Sequence, residues 1–149
     1  MAIAGFPIKD RILYHSALVT IFFTMLLIGY CLFCLLYPFK TIKFIQFEIT
    51  TPIVKAGETF INQGHHIKYT DKSCSITWQL LSKDFSYYYP TFYSNVKKGE
   101  MRMTVKKLVP DYIPAGEYII RNILVYKINP LREITVTQDS NTFTITKGD

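Results

Sequence analysis

A run of 21 residues from Ala17 to Tyr37 (ALVTIFFTMLLIGYCLFCLLY) carries no charge, and it constrains this chain more than any other stretch. Wound as a helix at about 1.5 Å per residue, it reaches roughly 30 Å, the thickness of a bilayer's hydrocarbon layer. A helix lying on a soluble core would carry a polar stripe on its outer face. This run has none; Thr20, Thr24, Gly29, Cys31 and Cys34 are its only small or weakly polar positions. The sequence therefore predicts a short N-terminal tail over residues 1–16 and one transmembrane helix over 17–37. The run is longer than the apolar core of a cleaved signal peptide, and no small-x-small site follows it, so a retained signal anchor is expected. Pro38 suits the helix exit, and Tyr14, Tyr37 and Phe39 fall where interfacial aromatics gather. Lys9 and Arg11 before the helix nearly balance Lys40, Lys43 and Lys55 after it. The layout of tail, helix and following domain leads to the expectation of a cytoplasmic N-terminus and a periplasmic or extracellular domain.

From residue 38 to 149 the pattern changes to short runs of β-branched and aromatic residues broken by turn formers. Runs are expected at Ile42–Ile49, Thr59–Thr70, Ser75–Leu81, Phe85–Tyr93, around Met101–Lys106, at Glu117–Lys127, Glu133–Thr137 and Thr142–Thr146. Asn62-Gln63-Gly64 reads as a bulge or turn within the second run. In Ser75–Leu81, Ile76, Trp78 and Leu80 alternate with polar residues, the signature of a strand with one buried face. Seven or eight such strands with no soluble helix predict an all-β antiparallel sandwich.

The segment Ile113-Pro114-Ala115-Gly116-Glu117-Tyr118-Ile119-Ile120 resembles the approach to the sixth strand of immunoglobulin-like and fibronectin-type domains. That resemblance implies an immunoglobulin-like sandwich in which Tyr118 is the corner tyrosine and Trp78 the central core aromatic. The sequence departs from antibody domains at Ile120, which stands where their second cysteine would be, and Cys74 lies too near Trp78 to be the first. The layout of one helix and one such domain is also similar to small envelope proteins of bacteria and their phages.

Little in the chain points to chemistry. Cys31 and Cys34 belong to the apolar run, where their spacing serves helix packing, so Cys74 stands alone and no disulfide can form within the domain. His65 and His66 are adjacent and point to opposite faces of a strand, which prevents them from sharing a metal. No nucleophile elbow or phosphate-binding glycine loop occurs. The expectation is a protein with no cofactor, no metal and no enzymatic activity. Two segments offer binding surfaces. Phe85–Tyr93 holds six aromatic residues in nine positions, with Tyr87, Tyr88, Tyr89, Phe92 and Tyr93 as candidate contacts. Lys97, Lys98, Arg102, Lys106 and Lys107 form a basic cluster in a domain with 15 Lys and Arg against 10 Asp and Glu. The leading expectation is a membrane-anchored, non-enzymatic extracytoplasmic interaction module of an envelope or assembly system. Its expected partners are the lipid bilayer and a protein or a second copy of the chain, with no nucleic acid. A structural subunit of a larger membrane complex and a small-ligand-binding or hydrolytic domain are the alternatives.

Overall fold

The computed structural model describes residues 8–148, with side chains described from residue 11 onward; residues 1–7 of the expected tail lie outside the described residues. The chain divides into two compact units after Pro38. The first is helix α1, Ile8–Leu36, 29 residues long and without a charged residue from Ala17 onward. Within it the 26 residues Arg11–Leu36 are long and apolar enough to cross a membrane. Its hydroxyl groups turn back onto the helix backbone. Ser16 Oγ donates to Leu13 O at 2.8 Å, Thr20 Oγ1 to Ser16 O at 2.9 Å and Thr24 Oγ1 to Thr20 O at 2.8 Å. Such bonds let small polar residues sit in an apolar helix without an unsatisfied donor.

The second unit is built of ten strands: β1 (Ile42–Ile49), β2 (Ile53–Lys55), β3 (Thr59–Lys68), β4 (Cys74–Leu81), β5 (Ser86–Tyr88), β6 (Phe92–Ser94), β7 (Gly99–Leu108), β8 (Gly116–Asn129), β9 (Arg132–Asp139) and β10 (Phe143–Thr146). One sheet has the order β1-β3-β7. The other runs β2-β10-β8-β4-β5, with β6 also on β4 and β9 also on β8. Alternation along β4 turns Cys74, Ile76, Trp78 and Leu80 inward, and along β8 it turns in Tyr118, Ile120, Leu124 and Tyr126. These meet Phe47 and Phe60 of the first sheet. Trp78 packs edge-on against Phe47 at 5.8 Å and stacks on Phe60 at 6.4 Å. Trp78 is 3% and Tyr118 2% exposed.

The described residues form ten strands where seven or eight were expected, because β2 is added and the run Phe85–Tyr93 divides into β5 and β6, and two further details differ. The sheets are not purely antiparallel, because β2 runs parallel to β10, with Ile53 opposite Thr144 and Lys55 opposite Thr146. After β1 the chain bends at Thr50–Pro52 and reaches the other sheet, where Thr144 N bonds Pro52 O and Ala56 N bonds Thr146 O. Running parallel along the edge of β10, the chain then continues into the turn that starts β3. The irregularity also lies elsewhere than at Asn62–Gly64, which pairs without interruption to Met103–Val105. It sits in β1, between Phe44 and Gln46. The extra residue, Ile45, is exposed, and the slip changes the inward phase from Ile42 and Phe44 to Phe47 and Ile49. Without it, Gln46 and Glu48 would point into the core, so the bulge is what the hydrophobic pattern of this strand requires.

Candidate functional site: a cleft between the sheets

The inward face of β3, the central strand of its sheet, reads Phe60, Asn62, Gly64, His66, Lys68, all buried. An inner strand of a filled sandwich would carry large apolar residues here. This one carries polar groups and a glycine, and the volume they leave is a cleft of about 310 Å³, partly open to solvent. Phe44, Phe47, Ile76, Trp78 and Leu124 form its floor and walls, and Met101, Met103 and Val105 of β7 form one lip. At Gly64 a Cβ would stand 3.2 Å from Met103 Cγ, so the missing side chain matters to the shape. Among the described residues β7 pairs only with β3, and β6 only with β4, so no described strand bridges the gap between these two edges.

Each end of the cleft holds a lysine. Lys107 Nζ sits 5.4 Å from the centre of the Phe92 ring and 5.7 Å from those of Trp78 and Tyr89, an arrangement that favours a cation electrostatically. Lys68, 4% exposed, donates to Val96 O and lies 5.7 Å from the centre of the Tyr126 ring. Neither ammonium has a carboxylate partner among the described residues. The four-residue step from Trp78 back to Cys74, which pairs with Tyr126, separates the two ends by roughly 13 Å along the strand. Opposite Trp78, Asn122 Oδ1 is buried without a hydrogen-bond partner. Tyr126 Oη is likewise without one at bonding geometry, with the weakly bonding Cys74 thiol as its polar neighbour; burial, the first cause, and Cys74 push its pKa up. His66 lies beside Phe44, ring centres 5.9 Å apart. Burial, and then the charges of His65 and Lys68, hold it below the usual imidazole range.

The candidate contact residues separate by strand parity. Tyr88 and Tyr93 face outward, Tyr93 at 80% exposure. Tyr89 is buried: its backbone N bonds Trp78 O at 2.9 Å, and its hydroxyl reaches across to Leu108 O at 3.0 Å, linking the two sheets. Tyr87 is half-buried between the rings of Tyr89 and Tyr112. Phe92 lies on the cleft. Arg102 and Lys106 point outward from β7, and Lys97 and Lys98 are exposed in the preceding loop. Lys107 turns inward with Met101, Met103 and Val105, so the basic run does not form one surface. His65 pairs with Glu100 on the outer face at 2.7 Å. Among the described residues no group of three His, Cys, Asp or Glu could hold a metal ion. Lys68, Asn122 and Tyr126 were not singled out in the sequence. Their parity with Phe60 on β3 and with Tyr118 on β8 was the available signal.

No family model and no curated protein matches the chain. Solved structures do match, among them one described as Pseudomonas fluorescens alkylpurine DNA glycosylase AlkC bound to DNA containing an abasic site analog. The likeness has a TM-score of 0.48 and 7% identity, and covers 72% of this chain but 31% of that one. That neighbour is an enzyme held on DNA. Against it, three expectations do not stand: the non-enzymatic membrane interaction module, the absence of enzymatic activity, and the partner set of bilayer or protein without nucleic acid. A likeness this slight transfers neither glycosylase activity nor DNA binding to the present chain.

Proposed function

We propose that the β domain is a binding domain whose inter-sheet cleft takes a small, largely apolar ligand. The observation that carries this reading is the cleft itself: about 310 Å³, walled by apolar and aromatic side chains, with a few polar groups at defined positions. That combination of size and lining is typical of small-molecule sites. At about 30 Å³ per water-sized group, it holds on the order of ten carbon atoms. As part of the same reading we propose an immunoglobulin-like strand order. It is supported by the three-stranded sheet β1-β3-β7 opposite one centred on β4 and β8, by Trp78 on β4, and by Tyr118 Oη donating to Pro114 O at 2.8 Å.

Trp78, the chain's single tryptophan, lines the cleft and reports on it. The full chain, reconstituted in phosphatidylcholine vesicles, should show saturable quenching of Trp78 emission by 10-bromodecanol. Val105→Phe, which fills the cleft from β7, should remove the saturable part. Quenching that rises linearly and equally in both proteins would count against the reading.

A further inference from the structure

The cleft is not uniformly greasy, and its polar end identifies the ligand more closely. Lys68 is an ammonium group at 4% exposure whose one hydrogen-bond acceptor is a neutral backbone carbonyl, that of Val96. A buried charge is costly unless an opposite charge or several hydrogen bonds answer it. Among the described residues no carboxylate answers it. Beside it, Tyr126 holds a hydroxyl without an acceptor. Lys107 at the other end differs, because three aromatic rings already face its charge and it is only half-buried. Between the two ends the walls are apolar: Phe44, Phe47, Ile76, Met103, Val105 and Leu124.

Resting on the cleft reading above, we propose that Lys68 and Tyr126 form the head site for a singly charged anion, and that the ligand class is a medium-chain aliphatic carboxylate of roughly ten carbons. The carboxylate accepts from Lys68 Nζ and Tyr126 Oη, and the chain lies along the apolar walls toward Trp78. Gly64 and the inward methionines give the chain its space.

The test compares two quenchers of Trp78 that differ only in the head group, 10-bromodecanoate and 10-bromodecanol, on the full chain in phosphatidylcholine vesicles at pH 8. The acid is expected to bind at least about tenfold more tightly, the scale of one charge-assisted hydrogen bond. Lys68→Met should remove that preference and leave the alcohol's affinity unchanged, whereas Lys107→Met should keep it. Acetate and decanoate then serve as competitors; decanoate should displace the quencher, and acetate at the same concentration should not. Equal affinity of acid and alcohol in the unsubstituted protein would overturn the head-site assignment while leaving the cleft reading intact. So would competition by acetate as effective as that by decanoate, which would mark a site for small free anions. Failure of both quenchers would remove the cleft reading and this inference with it. Because the unsubstituted protein already gives the acid-to-alcohol ratio, the proposal stays testable even if Lys68→Met does not fold.

Discussion

Tyr118 and His66 show how single side chains set the domain's energetics. The Tyr118 ring is buried, and its hydroxyl donates to Pro114 O across the corner that leads into β8. Tyr118→Phe keeps the ring and leaves that carbonyl without this donor, so a loss of about 1 kcal/mol is expected in denaturant unfolding. Trp78→Ala removes far more, since Phe47 and Phe60 both pack on its ring; about 3–5 kcal/mol is expected. His66 gives the acid response. Its folded-state value is depressed below the ordinary 6.5, so folding holds it neutral and the unfolded chain takes up the proton first. Its contribution is complete above pH 6.5 and is lost as pH falls from there through the lower folded value. Unfolding midpoints measured between pH 7.5 and 5 should fall less steeply in His66→Gln than in the unsubstituted chain.

At the scale of elements, much was legible because period-2 alternation is strong. Trp78 is inward because Ile76 and Leu80 share its parity, and the long strand β8 follows from Glu117 to Lys127 reading the same way. The bulge in β1 was written in the sequence as a phase change between Phe44 and Phe47, but alternation over eight residues does not reveal a one-residue slip unless a partner strand fixes the register. β2 was not legible, since three residues after a proline carry no periodicity and their pairing depends on β10, some ninety residues away. The turn that follows β2 was legible, since Ala56-Gly57-Glu58 reads as one. Gly57 has φ of +89°, and Glu58 N bonds Lys55 O at 3.0 Å across it. A Cβ there would stand 2.4 Å from Asp111 Oδ1, the end of an exposed side chain that can move aside. The strained backbone therefore dominates, and Gly57→Ala should cost about 1–2 kcal/mol in thermal or denaturant unfolding.

For the molecule as a whole, the apolar helix and the mostly β domain were plain from composition and patterning, whereas the cleft was not. Lys107 reads in sequence as one of five clustered cations, and only its parity with Met101, Met103 and Val105 separates it from Arg102 and Lys106. The inward polar face of β3 looks like an exposed face until a second sheet covers it. Orientation across a membrane was not encoded in the flanking charges, where Lys9 and Arg11 nearly offset Lys40, Lys43 and Lys55. The central claim is that this covered, polar-tipped cleft is a ligand site, and the methionines allow it to be observed directly. Of the four in the chain, Met101 and Met103 line the cleft, while Met25 lies in α1. With ¹³C-methyl methionine in the full chain, held in nanodiscs, decanoate should shift the Met101 and Met103 signals along one saturating curve. The same titration of Val105→Phe should leave them in place. Signals from Met101 and Met103 that stay fixed through saturation in the unsubstituted chain, or that move identically in Val105→Phe, would contradict the account.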